Sequence, residues 1–180
     1  MKTISTPLDG VLVLEPKVFG DSRGFFLESY NQRALAEAGI SQHFVQDNHS
    51  YSTRNVVRGL HYQVRHVQGK LVRVIVGEVL DVVVDLRKSS RTYGQWSSVP
   101  LSETNKHILW IPPGFAHGFR IVSEGAHVLY KATDYYSPEA ERTLTWNDPE
   151  LKIDWQLAGD PTISEKDQRG TLFRDAEKFA

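Results

Sequence analysis

The sequence lacks cysteine, long apolar segments and an excess of charge of either sign, and each absence excludes a class of protein. Without cysteine, disulfide bonds and thiolate chemistry are excluded. No segment approaches the roughly 20 apolar residues of a membrane-spanning helix, and the first residues lack the apolar run of a signal peptide, so we expect no membrane association and a cytoplasmic location. The net charge of -1 gives no overall basic field to attract nucleic acid.

The remaining composition is ordinary for a folded domain. The chain has 180 residues, of which 40% are hydrophobic and 24% charged, and this favours one domain over residues 1–180 with a substantial core. No glycine-rich phosphate loop of the Walker or dinucleotide-binding kind is present. Any anion must therefore bind at a local cluster of side chains.

Short segments rich in β-branched and aromatic residues, separated by turn residues, run through most of the chain. The first covers 11–15, and after a turn signal at 20–24 a second covers 25–30. Asn31 is a candidate N-cap for a short helix that Gly39 ends. The β pattern then resumes, and it predicts an all-β fold, a jelly-roll sandwich or barrel with a few short peripheral helices.

The clearest predicted hairpin joins a strand at 70–76 to a strand at 79–86 through Gly77 and Glu78. Both arms are almost entirely apolar, so we expect both of their faces to be covered. The other strands predicted in this part of the chain cover residues 95–101, 106–111, 117–122 and 127–133.

The pattern changes after Pro138. Residues 151–155 and 164–169 predict irregular or helical segments that pack on the outside of the β structure. The serine, glutamate and aspartate of the second segment are also typical of a helix cap followed by exposed charges.

A cluster of charged and titratable side chains lies within sequence that otherwise predicts sheet. It contains Arg58, His61, Lys70 and Arg73. Burial of such groups is costly unless they are paired, so the cluster predicts a cavity for an anionic ligand, with His61 free to move a proton. Residues three apart face opposite sides of a regular strand, so Arg58 and His61 share a cavity only if Gly59 forms a bulge. The alternative is an exposed Arg58 beside a packed core histidine.

The histidines also raise the question of a metal ion. Metal sites in β-barrels of this class typically have two histidines separated by one residue, but the second position after His61 is Gln63. The segment at 112–117 resembles half of a cupin metal motif and supplies one imidazole, from His117. One imidazole does not make a metal site, so the sequence favours none.

Six segments that occur in one order along the chain carry a resemblance to a known family. They cover residues 16–26, 44–50, 58–63, 68–73, 114–119 and 130–138. Together they resemble the dTDP-4-dehydrorhamnose 3,5-epimerase family. This implies a cupin-like jelly roll, usually a homodimer, that needs neither metal nor cofactor. It also implies the conversion of dTDP-4-dehydro-6-deoxy-D-glucose to dTDP-4-dehydro-L-rhamnose, a step towards dTDP-L-rhamnose for bacterial surface polysaccharide.

The resemblance implies roles for individual residues. His61 would be the base, Asp167 its orienting partner, Tyr130 the acid on the opposite face of the sugar, and Lys70 the cation beside the C4 oxygen. Tyr136 would stack on thymine. The other expected contacts to the nucleotide-sugar are Arg23, Glu28, Gln46, Asn48, Arg58, His117, Glu141 and Lys166.

The implied chemistry sets requirements for these groups. A ketone at C4 acidifies the hydrogens at C3 and C5, because loss of either one leaves an enolate on the same oxygen. His61 must be neutral to accept a proton. Lys70 must be charged to meet the oxyanion, an effect of about 3–4 kcal/mol for a well-placed donor. From the residues alone, we expect a functional tyrosine either to lie near a cation that lowers its pKa or to offer a flat ring that stacks on a base. The residues alone do not say which tyrosine has which role.

Three alternative functions remain open from the sequence. The first is an epimerase that acts at C3 or C5 only, or a ketoisomerase on the same type of substrate. The second is a non-catalytic nucleotide-sugar binding module, which would have no use for a pair formed by His61 and Tyr130. The third is a metal-dependent cupin oxygenase.

Overall fold

The computed structural model describes residues 1–180 and confirms an all-β fold. The strands are β1 (Lys2–Ser5), β2 (Leu12–Glu15), β3 (Val18–Asp21), β4 (Gly24–Leu27), β5 (Gln46–Thr53), β6 (Val57–Gln63), β7 (Lys70–Val76), β8 (Glu78–Asp85), β9 (Trp96–Ser102), β10 (Ile108–Ile111), β11 (Phe115–Ile121), β12 (Gly125–Ala132) and β13 (Glu141–Thr143). The helices are α1 (Gln32–Glu37) and α2 (Glu165–Gln168), with single 3₁₀ turns at Pro138–Ala140 and Phe173–Asp175.

Eleven strands form two antiparallel sheets that pack face to face as a jelly roll. The six-stranded sheet has the order β1-β2-β10-β7-β12-β5, and the five-stranded sheet has the order β13-β6-β11-β8-β9. Side chains from both sheets, among them Val72, Val83, Leu109 and Phe119, form the main buried cluster between them. The alternation of inward and outward residues along each strand therefore gives one inner layer and two outer faces.

The hairpin predicted between residues 70–76 and 79–86 is wrong, although both strands exist. β7 pairs with β10 and β12 in one sheet, whereas β8 pairs with β11 and β9 in the other. Gly77 joins them with a φ of +80°, and a Cβ atom there would collide with the carbonyl oxygen of Gly125. Because both strands are apolar, each lies inside its own sheet with cover on both faces, which an isolated hairpin would not provide.

The short helix and the tail follow the prediction. The side chain of Asn31 caps α1 by accepting hydrogen bonds from the backbone N–H groups of Arg33 and Ala34. After Pro138, irregular segments cover the outer face of the five-stranded sheet, where Leu151 and Trp155 pack in a buried cluster with sheet residues. Because the tail packs on this sheet, its helix α2 also lies close to the sheet. No helix is long and apolar enough to cross a bilayer.

The hairpin of β3 and β4 stands apart from both sheets. Its large apolar side chains are exposed: Phe25 is 60% and Phe26 is 66% accessible to solvent. Gly20 to Gly24 has the G-x-S-x-G spacing of hydrolases, but it forms the turn of this hairpin, whereas a nucleophile elbow joins a strand to a helix. The hairpin therefore carries an exposed apolar surface and no nucleophile site.

Candidate active site

A cavity of about 210 Å³ opens between the two sheets. It takes side chains from β6, β11 and β13 on one side and from β5, β7 and β12 on the other. The lining residues are Ser50, Arg58, His61, Tyr62, Gln63, Gln68, Lys70, His117, Gly118, Phe119, Tyr130, Tyr136 and Glu141. Seven of the residues singled out in the sequence are thus brought to one cavity.

A bulge in β6 brings Arg58 and His61 to the same cavity. His61 pairs with His117 and Arg58 with Phe119, so three steps along β6 match two along β11. Gly59 lies within the irregular stretch at a φ of +112°, and a Cβ atom there would approach the Cα of Gly118 to 2.6 Å. The expectation that a glycine bulge lets both side chains share a cavity is confirmed.

His61 is held by a carboxylate from the tail. Its Nε2 lies 2.6 Å from Oδ1 of Asp167, a residue of α2, and Oδ2 of Asp167 accepts a hydrogen bond from the backbone N–H of Gly59. Burial alone would raise the pKa of Asp167, but the interactions with His61 and Gly59 outweigh it and lower that pKa. An ionised Asp167 holds the proton of His61 on Nε2 and leaves Nδ1 as the nitrogen free to accept one.

Lys70 enters the cavity from β7 and is nearly buried. Its Nζ donates one long hydrogen bond, of 3.4 Å, to the carbonyl oxygen of His61. Burial lowers the pKa of Lys70 to about 8, against the charges of Asp81 and Glu141, which raise it. The side chain is therefore an ammonium at neutral pH, but its pKa lies only slightly above that pH.

Tyr130 lies beside Lys70 on the six-stranded sheet, across the cavity from His61. The Nζ of Lys70 is 5.9 Å from the centroid of the Tyr130 ring. The expectation that such a cation lowers the pKa of the tyrosine is wrong, because burial, followed by the charge of Glu141, raises the pKa of Tyr130. The phenol therefore stays protonated at neutral pH and is able to donate a proton.

His117 forms a second histidine–carboxylate pair with a residue that sequence reasoning missed. Its Nε2 lies 2.9 Å from Oδ2 of Asp81, and both side chains are buried. Burial lowers the pKa of His117, and the charge of Asp81 opposes this. The signal for Asp81 in the sequence was an isolated acid within the apolar strand β8.

Glu141 ties Lys166 and Tyr136 to the rim of the cavity. Its Oε2 accepts hydrogen bonds from the hydroxyl of Tyr136 at 2.8 Å and from Nζ of Lys166. Burial alone would raise the pKa of Glu141, but these two partners outweigh it and hold that pKa below its usual range. Tyr136 is half exposed to solvent.

Gln46 and Asn48 lie on β5, on the same face as the lining residue Ser50. The amide of Gln46 donates to Oδ1 of Asn48 and accepts from the backbone N–H of Tyr136. The buried Nδ2 of Asn48 has no partner. These residues border the cavity without lining it, and they order the segment that carries Tyr136.

Arg23 and Glu28 do not reach the cavity of their own chain. Arg23 lies in the turn of the exposed hairpin, where its guanidinium pairs with Asp21 at 2.6 Å, and its side chain is 88% accessible. Glu28 follows β4 and accepts a hydrogen bond from Asn31. Arg73, the fourth member of the charged cluster predicted from the sequence, also does not line this cavity.

Gln63 is a second residue whose part in the site was missed. Its buried side chain lines the cavity, donates to the carbonyl oxygens of His66 and Tyr135, and accepts from the backbone N–H of Ser137. Gln63 therefore anchors the loop that follows β12. No group of three or more histidine, cysteine, aspartate or glutamate side chains is arranged to hold a metal ion.

Comparison with known proteins shows which proteins this chain is similar to. A family model described as dTDP-4-dehydrorhamnose 3,5-epimerase matches residues 5–175. A dTDP-4-dehydrorhamnose 3,5-epimerase from Pseudomonas aeruginosa is 59% identical over an alignment of 180 positions that covers 99% of each chain. The crystal structure of dTDP-6-deoxy-D-glucose-3,5-epimerase from Legionella pneumophila, in complex with dTDP-4-keto-L-rhamnose, matches with a TM-score of 0.95 and 48% identity, over 98% of this chain and 94% of that one.

A more distant match is a 3'-monoepimerase from Streptomyces bikiniensis in complex with dTDP-quinovose. Its TM-score is 0.88 at 27% identity, over 94% of this chain and 86% of that one. The same fold therefore serves single and double epimerases.

Proposed function

Because the chain belongs to the dTDP-4-dehydrorhamnose 3,5-epimerase family, we propose that it inverts C3 and C5 of dTDP-4-dehydro-6-deoxy-D-glucose to give dTDP-4-dehydro-L-rhamnose. One observation carries the proposal. His61, oriented by Asp167, faces the cavity from one sheet, while Tyr130 and Lys70 face it from the other. A sugar ring held between the sheets would have a base on one face and an acid on the other.

His61 removes the proton in this scheme. The C4 ketone acidifies the hydrogens at C3 and C5, and Nδ1 of His61 accepts each in turn as its electron pair moves towards the C4 oxygen. The imidazolium that forms is stabilised by Asp167, whose lowered pKa keeps it ionised. Tyr130 then delivers a proton to the carbon from the opposite face, so the configuration inverts.

Lys70 stabilises the enolate. Its ammonium has one weak hydrogen bond within the protein and lies between the base and the acid, so it is free to donate to the C4 oxygen as negative charge develops there. Both epimerisations use the same oxygen, so one cation serves both. No step needs a metal ion or a cofactor.

The nucleotide part of the substrate extends from the sugar to the rim. Arg58 donates from Nε to the Ser52 hydroxyl at 2.8 Å and from Nη2 to the carbonyl oxygen of Tyr51 at 3.3 Å, and its remaining N–H groups are available for the diphosphate. His117 lines the part of the cavity that would hold the sugar. Tyr136, with its hydroxyl fixed on Glu141, offers a flat ring on which thymine can stack. Gln46, Asn48 and Lys166 complete the rim.

A homodimer explains the positions of Arg23 and Glu28. The hairpin that carries Arg23 is exposed and apolar in the single chain, which is typical of a surface that another protomer covers. In the proposed dimer, the hairpin of one protomer reaches the cavity of its partner, so that Arg23 and Glu28 contact the nucleotide there. The reaction is proposed to take place in the cytoplasm.

The proposal is tested by incubating the purified protein with dTDP-4-dehydro-6-deoxy-D-glucose and identifying the product by proton NMR. Ring proton couplings distinguish the doubly inverted L-sugar from a sugar inverted at C3 or C5 alone. The L-sugar supports the proposal, and a singly inverted sugar identifies a monoepimerase. Tight binding without turnover would instead identify a binding module.

A further inference from the structure

The proton transfers proposed above leave the second histidine–carboxylate pair without a task. Asp81, on β8, is completely buried, and its Oδ2 accepts from Nε2 of His117 at 2.9 Å. Its other oxygen, Oδ1, has no hydrogen-bond partner. A half-satisfied carboxylate in a core is destabilising, so its persistence next to a cavity calls for a functional reason.

A second buried charge lines the same cavity, on Lys70. This ammonium is also nearly buried and also under-satisfied, with one long hydrogen bond to a backbone carbonyl. Burial raises the pKa of Asp81, and His117 and then the ammonium of Lys70 act against this rise. Burial likewise lowers the pKa of Lys70, and the carboxylate of Asp81 acts against this fall. The titratable and charged groups around Lys70 on the surrounding strands are Arg58, His61, Asp81, His117, Tyr130 and Glu141.

We propose that Asp81 is a positioning residue of the active site, whose carboxylate supplies the buried counter-charge that keeps Lys70 an ammonium and fixes which nitrogen of His117 faces the sugar. The role given to Lys70 rests on the proposed function. With Asp81 ionised, Lys70 protonated and His117 neutral, the buried set has no net charge, which is the least costly state for a low-dielectric site.

The same carboxylate sets the chemistry of His117. A carboxylate accepts the Nε2–H of a neutral imidazole, so Nδ1 is left with a lone pair, and Nδ1 has no hydrogen bond within the protein. His117 then accepts a hydrogen bond from a substrate hydroxyl and cannot compete with Lys70 as a donor to the C4 oxygen. The cavity thus has one cation at the oxyanion position.

The test is the pH dependence of kcat/KM in Asp81→Asn. Loss of the negative charge lets Lys70 lose its proton at lower pH, so the alkaline fall in activity moves down by about one pH unit or more. Asp85→Asn is the matched control, because Asp85 is an equally buried acid on the same strand whose partners are Arg87, Ser90 and Thr92, away from the cavity. We expect Asp85→Asn to be less stable than the wild type. Its kcat/KM should fall at the same alkaline pH as that of the wild type.

An alkaline limb at the same pH in Asp81→Asn as in the wild type would overturn the proposal. If Asp81→Asn does not fold, carbon-13 NMR of the aspartate carboxyl groups of the wild-type protein decides instead. An ionised Asp81 at pH 7 is expected, and a protonated one would overturn the proposal. The NMR measurement needs no turnover, so it distinguishes a failure of this inference from a failure of the proposed function.

Discussion

Nε2 of His61 lies 2.6 Å from Oδ1 of Asp167, although 106 residues separate the two along the chain. The bond joins a strand in the middle of a sheet to a four-residue helix in the irregular tail. The tail therefore completes the site as well as covering the sheet. In the proposed mechanism, this bond decides which nitrogen of His61 can accept a proton.

Asp167→Asn should lower kcat by about 10²–10⁴-fold, because an amide no longer stabilises the imidazolium or fixes the tautomer of His61. Steady-state kinetics with the natural substrate measure the loss. Binding of dTDP, measured by calorimetry, should change little, since Asp167 does not face the nucleotide.

Asp148→Asn is a matched control for that variant. Asp148 is also a buried acid of the tail, but it accepts hydrogen bonds from the backbone N–H groups of Glu150, Leu151 and Phe173. We expect a lower melting temperature with kcat near the wild-type value. Equal losses of kcat in the two variants would show that Asp167 acts only by holding the tail.

The general character of the fold and the location of the site could be predicted from sequence because both depend on local pattern. Short segments rich in β-branched and aromatic residues indicated a jelly roll, and charged residues inside sheet sequence located the cluster around His61. Gly59 was also a local signal, since a bulge needs a residue that tolerates close backbone approach.

The features that the sequence did not reveal depend on long-range pairing. Nothing in residues 70–86 says whether two apolar strands pair with each other or cross to opposite sheets. The partnership of Asp81 with His117 requires β8 to lie beside β11, and the placement of Arg23 away from the cavity depends on how the hairpin stands clear of both sheets. Such relationships follow from the packing of the whole chain.

Tyr130→Phe should abolish the formation of the inverted product while His61 still exchanges the substrate hydrogens with solvent. The reason is that the base and the acid lie on opposite walls, so removal of the phenol leaves proton abstraction and same-face return intact. Deuterium uptake into recovered substrate and product yield are measured together by NMR.

Tyr135→Phe serves as the control, because this tyrosine is 64% exposed and does not line the cavity. It should exchange and invert as the wild type does. If exchange and inversion fall in parallel in Tyr130→Phe, then Tyr130 has another role, such as holding the substrate.

The activity should decline as the pH rises through about 8, because burial lowers the pKa of Lys70 to about 8 and the mechanism needs its charged form. The ammonium is present below that pH and is lost above it. Lys70→Arg carries a group that stays protonated throughout this range. We expect Lys70→Arg to have a lower kcat at pH 7 and no decline in activity up to pH 9. A decline at the same pH as in the wild type would mean that a group other than Lys70 causes the loss of activity.

Mixed dimers test whether Arg23 acts in the partner's site. Arg23→Ala and His61→Ala should each be poorly active alone. If Arg23 contacts substrate in the other protomer, co-expression of the two chains should restore about a quarter of the wild-type activity, because half of the sites in each heterodimer are intact. No recovery in purified heterodimers would mean that Arg23 serves the site of its own chain, and full activity of Arg23→Ala alone would mean that it serves no site.

The most direct test of the central claim is to run the reaction in deuterium oxide and to locate the label in the product. One base and one acid acting across a single ring predict one deuterium at C3 and one at C5 of the L-sugar, and no label at either carbon when His61→Ala replaces the wild type. Product that carries label at one of these carbons only, or a His61→Ala variant that still incorporates deuterium at the wild-type rate, would contradict the account.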